Sequence, residues 1–191
     1  MRDLVARSDI VIQSYRPGAL ERLGFGPDDL AKIRPGLVTV SISAWGWGGP
    51  WAGYRGFDSL VQAASGFNLA EAEAFGQETP RALPAQILDH ATGHLAAFAG
   101  LAARLRQSRE GGNWDIRLSL ARTGLWLRSL GSTQRDASFH EITQDTLDHC
   151  LEEMPSRFGL LRASKHAAKL KGIPVRWDRP SVPLGTHRPE W

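Results

Sequence analysis

Residues 37–43 read LVTVSIS, a run of β-branched and apolar residues that is typical of a buried strand. A shorter run of the same kind, DIVIQ at 9–13, lies upstream. Between the two, residues 19–33 have helical character with an interruption at 24–27, and the RPG of 34–36 ends the helix. Strand, helix and strand in this order predict a βαβ unit, which implies a parallel pair of strands in an α/β sheet.

Further elements follow downstream. The stretch WGWGGPWAGYRG at 45–56 predicts a loop, and its glycines would let the backbone approach a ligand, although a purely structural aromatic loop fits equally well. We expect a helix over 57–67 and a polar surface loop over 68–81. An Ala/Gly/Leu-rich helix over 90–107 should be buried between layers, and the alternation in 114–120 predicts a strand with one wetter face.

The character of the chain changes after residue 131. A polar, acidic stretch up to 156 predicts a short helix around 141–153, and a basic, proline-punctuated stretch follows it. We therefore expect three parts: an α/β domain at 1–130, a linker at 131–156, and an extended tail at 157–191 that wraps over another surface.

Composition narrows the class of protein. With 191 residues, 42% hydrophobic and 23% charged, the chain is long enough and apolar enough to bury a core. The net charge of +3 and the pI near 9.4 suit an anionic ligand such as a nucleotide phosphate, although an ordinary solvated surface accounts for most of the basic residues. A nucleic-acid binder would be expected to show a dense basic stripe, and the sequence contains none. The single Cys150, the lack of an apolar run of bilayer length and the lack of a signal-peptide pattern predict a cytoplasmic protein.

Asp89 is the leading candidate for a functional residue, because it stands where the long helix should begin. The unpaired N–H groups and partial positive charge of a helix N-terminus keep a carboxylate ionised and can stabilise a developing oxyanion. That environment suits a nucleophilic aspartate. Aspartate is also a favoured N-cap residue, so the local sequence leaves a capping role open.

The histidines and the cysteine do not indicate a metal site. His90 and His94 are four residues apart on one helical face, but the glutamate of a zinc-protease motif is missing. His149 and Cys150 are neighbours in sequence, and such neighbours seldom point at each other. We predict neither a metal centre nor a Cys–His nucleophile pair.

Several motifs in a fixed order resemble the class III CoA-transferases (CaiB/BaiF). They cover residues 1 to about 125 and about 157 to 191, and imply an α/β fold: a partial Rossmann-like large domain of the CoA-transferase family III type with an extended C-terminal tail. The motifs are SDIVIQSYRPG at 8–18 with LERLG at 20–24, VSIS at 40–43 with Gly46, Gly49 and Pro50, GFD at 56–58 with Gln62, Ala63, Ser65 and Gly66, the Asp89 segment with Gly93, the strand at 111–120, and PLGTH at 183–187.

The resemblance implies an enzyme that moves coenzyme A between an acyl-CoA and a carboxylic acid through an aspartyl-CoA thioester, with no permanently bound cofactor. Asp89 matches the nucleophile of this family. Ser14, Tyr15 and Arg22 match positions that line the CoA site, and Arg55 matches a basic position there; arginine can pair with phosphate through two donors. Packing for Tyr15 and an ordinary surface charge for Arg22 are the structural alternatives.

The family also contains α-methylacyl-CoA racemases, which have a His-Asp pair where this chain has Phe57 and Asp58. Phenylalanine cannot exchange a proton, so Phe57 favours the transferase branch. Asp58 becomes a candidate secondary carboxylate, with helix capping as its structural alternative.

The resemblance also implies that parts of the family's fold are missing. We expect a preceding strand–helix segment to be absent, together with the small domain, whose place would be between about 130 and 157. A short sheet then has an unpaired edge and an exposed apolar face, which proteins normally cover. The interlocked dimers of the family imply a homodimer or a complementing chain as the cover. The alternative function is an inactive family remnant or a partner subunit that binds another chain.

Overall fold

A three-stranded parallel sheet lies at the centre of the N-terminal part of the protein. The computed structural model describes residues 1–131 and 143–188. Strands β1 (Ile10–Gln13), β2 (Val38–Ser43) and β3 (Trp114–Ser119) pair in the order β1-β2-β3, with Val40 opposite Ile12 and Ile116. Five of the six residues of β2 are buried, as a central strand covered on both faces requires. The predicted βαβ unit and its α/β sheet are confirmed.

One face of the sheet is covered by the helices of the first 36 residues. Helix α1 (Arg2–Ala6) and helix α2 (Pro27–Ile33) bring Val5 and Leu30 against Leu37 in a buried cluster. A short 3₁₀ helix, Glu21–Leu23, precedes α2 and ends at Gly24, whose left-handed backbone (φ 74°) turns the chain. The interruption that the sequence predicted in this helical stretch is therefore confirmed.

The other face packs against α5 (Ile87–Glu110), a helix of 24 residues. Ala96 and Ala103 contact Val38 and Val40, and a Cβ built on Gly100 would lie 3.6 Å from Val40, so small residues let this helix approach the sheet closely. The prediction that the helix at 90–107 is buried between two layers is confirmed for the side of α5 that faces the sheet and wrong for the opposite side. Apolar side chains remain exposed there because the described part of the chain provides no layer beyond α5; they are Phe98, Leu101 and Leu105.

Two helices stand where the sequence predicted a helix at 57–67 and a loop at 68–81. Helix α3 (Asp58–Ala64) stops at Ser65 and Gly66, the glycine being left-handed at φ 81°, and α4 (Phe67–Ala74) follows at once. The loop prediction is wrong over the first part of 68–81, because Ala, Leu and Glu are strong helix formers even in a polar stretch. Helix α6 (Leu120–Ser129) completes this part, and a third buried cluster joins α3, α5 and α6 through Val61, Leu88 and Leu120.

The chain divides into two compact units, Met1–Thr133 and Gln134–Trp191. In the second, α7 (Gln144–Leu147) and a 3₁₀ turn (Asp148–Cys150) precede an antiparallel hairpin of β4 (Leu151–Ser156) and β5 (Gly159–Ser164). The helix predicted around 141–153 is thus present in 144–147 and wrong from 151 onward, while 141 and 142 lie outside the described residues.

The hairpin also crosses the predicted boundary between a linker ending at 156 and a tail starting at 157. A turn joins its strands, because the Ser156 hydroxyl both donates to the Gly159 carbonyl and accepts from the Phe158 N–H. The change from acidic to basic composition at this point therefore marks a turn inside one element. Of the proposed linker, residues 132–142 are not described. The wrapping role of 157–191 stays a prediction.

Candidate functional site

The candidate site is built around the C-terminal ends of the parallel strands, the edge at which open α/β sheets bind ligands. Strand β2 ends at Ser43, whose hydroxyl accepts the Gly46 N–H and so starts the loop that leads to α3. Strand β3 ends at Ser119, which caps α6 by accepting the Arg122 N–H at 3.2 Å. The two strand ends are tied together, since the Ala121 N–H donates to the Ala44 carbonyl at 3.0 Å.

Asp89 lies in the first turn of α5, with its side chain exposed. It is the third residue of the helix, and Gln86 occupies the N-cap position. Within the described residues, no hydrogen bond or ion pair engages the Asp89 carboxylate. The structure therefore contradicts the alternative in which Asp89 caps α5, and leaves its carboxylate open to a ligand.

The capping group for this end of α5 comes from another helix. The Asp89 backbone N–H donates to Oδ2 of Asp58 at 2.9 Å, although the two residues are 31 positions apart. Only 1% of the surface of Asp58 is exposed, and it begins α3. Asp58 thus caps the start of α5 by accepting the N–H of Asp89. Its role as a secondary carboxylate stays a prediction.

The same pair of carboxylates sets the electrostatics of the site. Desolvation by the surrounding protein raises the pKa of the Asp89 carboxyl above its usual value, and the negative charge of Asp58 raises it further. The charge of His90, the next residue on α5, acts in the opposite direction.

Gln62 completes the network, one helical turn after Asp58. Its side-chain amide is 3% exposed and donates to Oδ1 of Asp58 and, at 3.2 Å, to the Ala85 carbonyl. Its oxygen accepts the Leu83 N–H at 3.4 Å. One buried amide therefore joins the start of α3 to the segment that leads into α5. Sequence reasoning named Gln62 only as part of a motif; its spacing of four from Asp58 on a helix was the available signal.

A second buried polar contact fixes α5 one turn after the nucleophile candidate. The Thr92 hydroxyl donates to the Thr123 hydroxyl of α6 at 2.8 Å, and both residues are buried. Sequence reasoning missed this pair as well, since nothing local distinguishes a buried threonine from an exposed one.

The loop between β2 and α3 is held by aromatic contacts. The rings of Trp45 and Trp51 meet edge to face at 4.9 Å, and the Trp45 indole N–H donates to the Arg55 carbonyl at 3.2 Å. Arg117 of β3 lies 5.6 Å from the Trp47 ring. A Cβ on Gly56 would come within 2.4 Å of the Ala44 Cβ, so this position requires glycine. The structural reading of this loop is thus correct, and a ligand contact at its exposed residues is compatible with it.

The four predicted CoA contacts lie in the segments that follow β1 and β2. Ser14 and Tyr15 follow the last residue of β1, and the Tyr15 N–H donates to the Gln13 side chain at 2.8 Å. Arg22 lies in the 3₁₀ helix before α2, and Arg55 in the loop after β2. All four side chains are exposed, and within the described part of the chain no hydrogen bond or ion pair joins any of them to Asp89. Of the predicted site residues, Asp58 makes a direct hydrogen bond to Asp89. The four predicted CoA contacts make none among the described residues.

The residues that the structure describes form neither a metal site nor a membrane-spanning helix. In 1–131 and 143–188, no group of three His, Cys, Asp or Glu side chains is arranged to hold a metal ion. No helix among these residues is both long enough and apolar enough to cross a membrane. The free Cys150 is exposed.

The known proteins that resemble this chain are CoA-transferases. A profile of the family described as CoA-transferase family III matches residues 1–164. The chain is 38% identical over 111 residues to the probable fatty acyl-CoA transferase Rv3272 of Mycobacterium tuberculosis, which covers 58% of this chain and 28% of that protein. It is 36% identical over 103 residues to the acetyl-CoA:oxalate CoA-transferase of Acetobacter aceti, covering 54% and 26%. The chain thus matches only about a quarter of the length of these curated relatives.

Solved structures agree on the fold. A crystal structure of Rv3272 superposes with a TM-score of 0.62 at 32% identity, covering 73% of this chain and 41% of that one. A CaiB/BaiF family protein from Brucella suis superposes with a TM-score of 0.60 at 24% identity, covering 83% and 43%, and at that identity the likeness concerns the fold alone. The partial α/β fold expected from the motifs is confirmed.

Proposed function

The chain belongs to CoA-transferase family III, and we propose that it moves coenzyme A from an acyl-CoA to a carboxylic acid through a thioester on Asp89. One observation carries this proposal: the Asp89 carboxylate is exposed at the start of α5 and does not cap it, because Gln86 holds the N-cap position and Asp58 accepts the N–H of Asp89. A carboxylate in the first turn of a helix that binds no group of the described residues can react with a substrate.

The reaction divides into balanced steps. The Asp89 carboxylate attacks the thioester carbonyl of the donor and expels the CoA thiolate, which gives a mixed anhydride. The thiolate then attacks the Asp89 carbonyl carbon, releasing the donor as a carboxylate and leaving Asp89 as a CoA thioester. The acceptor carboxylate attacks this thioester, and the expelled thiolate finally attacks the acceptor carbonyl, which frees Asp89. Each step exchanges one acyl bond for another, and no oxidant or metal is consumed.

The surroundings of Asp89 support this chemistry. Asp89 lies in the first turn of α5, where the partial positive charge of the helix N-terminus favours the oxyanion that forms at the attacked carbonyl. A raised pKa makes the carboxylate a stronger base, and hence a better nucleophile once it is ionised. Asp58 acts as the secondary carboxylate in this proposal by holding the backbone of Asp89.

Coenzyme A is proposed to bind as a substrate across the C-terminal edge of the sheet. Ser14 and Tyr15 would contact it at the end of β1, with Arg22 and Arg55 as the cationic partners of its phosphates. The exposure of all four side chains supports this role, as does the lack of an ion pair at either guanidinium among the described residues. No permanently bound cofactor is required.

Transfer is preferred to racemisation because of Phe57. It lies directly before Asp58 with 77% of its surface exposed. A racemase needs a group at the site that exchanges a proton, and a phenyl ring cannot do so. We therefore propose that the α-proton of an acyl-CoA does not exchange with solvent deuterium in the presence of this protein.

A second candidate function is an inactive family remnant or a partner subunit that binds another chain. The exposed apolar side chains of α5, Phe98, Leu101 and Leu105, favour this candidate because another chain can cover them. In either case we propose that a second copy or a complementing chain covers the exposed side of α5. The cytoplasm is the proposed location, which the single exposed Cys150 supports.

Trapping with hydroxylamine separates the two functions. The protein is incubated with acetyl-CoA as the probe donor, then with hydroxylamine, and the modified residue is located by mass spectrometry. A transferase should give an aspartyl hydroxamate at Asp89, with no modification in Asp89→Ala. The matched control is Asp3→Ala, which removes another exposed carboxylate from a helical first turn and should leave trapping at Asp89 unchanged. Absence of a hydroxamate at Asp89 in the unmodified protein would favour the remnant.

A further inference from the structure

Two buried groups of opposite hydrogen-bonding character meet behind Asp89. Asp58 offers only acceptors, and one of its oxygens is already used by the Asp89 N–H. Gln62 offers two donors and one acceptor, and all three are engaged: the donors by Asp58 and the Ala85 carbonyl, the acceptor by the Leu83 N–H. A buried polar group without a partner is costly, so this mutual satisfaction fixes both side chains in one arrangement.

The arrangement determines where α5 begins. Gln62 fixes the chain at 83 and 85, immediately before the helix, and Asp58 fixes the N–H of its third residue. The helix has no side-chain cap of its own at Gln86. The backbone of Asp89 is therefore held from α3, and the two residues that hold it are themselves joined by a hydrogen bond.

We propose that Gln62 is a positioning residue for Asp89, acting through Asp58 and through the 83–85 segment to fix the direction in which the nucleophilic carboxylate faces. The inference rests on the proposed function for its chemical meaning, but its structural content is independent of it. Gln62 touches neither the substrate nor the reacting atoms. Its effect on reactivity comes through orientation, and a misplacement of about 1 Å can cost on the order of a hundredfold in rate.

The test replaces Gln62 by methionine, which has nearly the same volume but cannot hydrogen-bond as an amide does. Gln62→Met keeps the packing of α3 against α5 and removes the donors to Asp58 and Ala85 and the acceptor for Leu83. Gln77→Met is the matched control, because Gln77 is an exposed glutamine in the loop after α4. If Gln62→Met does not fold, as judged by circular dichroism, Gln62→Asn provides the same comparison, since it withdraws the amide by one methylene.

The first readout needs no catalysis: the Asp89 carboxyl is titrated by carbon NMR, with Asp89→Asn to assign its signal. Asp58 of α3 and His90 of α5 are the groups whose charges act on it among the described residues. Gln62→Met should move the titration midpoint away from that of the control variant. We expect the move to be upward, because Asp58 loses the amide N–H that partly offsets the effect of its charge on Asp89.

The second readout is the rate of hydroxylamine trapping at Asp89 with acetyl-CoA, which should fall on the order of tenfold in Gln62→Met and not in Gln77→Met. A midpoint and a trapping rate equal to those of the control would overturn the positioning role and leave the proposed function standing. If the unmodified protein traps nothing, the proposed function fails, and the titration still decides the role of Gln62.

Discussion

At the scale of single residues, two aspartates of the same chain have opposite surroundings. Asp58 is buried, and both of its oxygens accept hydrogen bonds from the protein. Asp89 is exposed and accepts none from the described residues. The buried carboxylate caps the start of α5, and the exposed one is the proposed nucleophile. The sequence indicated each residue as a candidate, but it did not indicate that one would hold the backbone of the other.

This pairing has a consequence for stability that depends on pH. Because burial and the charge of Asp58 raise the pKa of Asp89, the folded protein binds this proton more tightly than the unfolded chain does. Ionisation of Asp89 therefore costs stability as the pH rises from the usual value of 3.8 through the raised folded value, and the full cost persists above it. Asp89→Asn cannot ionise, so it should have a higher free energy of unfolding than the unmodified protein at neutral pH.

Urea unfolding at several pH values measures this difference, which should close as the pH falls below 3.8. Asp3→Asn serves as the control at an exposed first-turn position, where no such gain is expected. A destabilised Asp89→Asn at neutral pH, or a difference that does not change with pH, would contradict the electrostatic account of the site.

At the scale of elements, the glycines of the loop between β2 and α3 differ in how tightly they are packed, and the sequence does not show this difference. Five glycines lie between 45 and 56, and the sequence treats them alike. In the structure, Gly53 faces open space, whereas a Cβ on Gly56 would meet the Ala44 Cβ at 2.4 Å and the Trp45 ring nitrogen at 3.0 Å. Neither has a left-handed backbone, so steric contact alone separates them.

Gly56→Ala should therefore destabilise the protein by about 1–3 kcal/mol, the usual cost of overpacking. Gly53→Ala, its matched control in the same loop, should stay within about 0.5 kcal/mol of the unmodified protein. Equilibrium unfolding of both variants measures the difference. Equal stabilities would mean that the loop relaxes around the added methyl group, and that it does not fix the entry to α3.

The helices α3 and α4 show which features local sequence patterns can predict and which they cannot. Their composition predicts helix well, and the error over 68–81 came from giving polarity more weight than helix propensity. The break at Gly66 has a visible local cause in its left-handed backbone. Gln62 and Thr92 are different, because their roles depend on partners 21 to 31 positions away. Patterns within one element cannot specify such partners.

At the scale of the whole molecule, α5 presents an apolar stripe defined by Phe98, Leu101 and Leu105. These side chains are 72%, 68% and 60% exposed, and their spacing places them on one helical face. Contiguous exposed apolar surface of this kind usually marks a contact with another chain. The stripe supports the proposed second copy or complementing chain.

Native mass spectrometry or light scattering tests this directly. We expect the purified protein to associate at micromolar concentration if a second copy is the cover, and Leu101→Lys to reduce the affinity at least tenfold by burying a charge at the contact. Gln77→Lys adds the same charge at an exposed site away from the stripe and should leave association unchanged. A protein that stays monomeric over this range would exclude the second copy and leave a complementing chain as the proposed cover.

The sequence by itself determined the parallel βαβ sheet and the long helix, and it indicated Asp89 as a candidate site residue. Each of these depends on a periodicity or a residue type that can be recognised within a few neighbouring positions. Only the tertiary structure decided that Asp58 and Gln62 hold the start of that helix. The packing of Val61, Leu88 and Leu120 brings α3 onto α5, and the buried polar groups then take whichever partners this packing leaves within hydrogen-bonding distance. That choice is made by the folded core, and no short stretch of the chain encodes it.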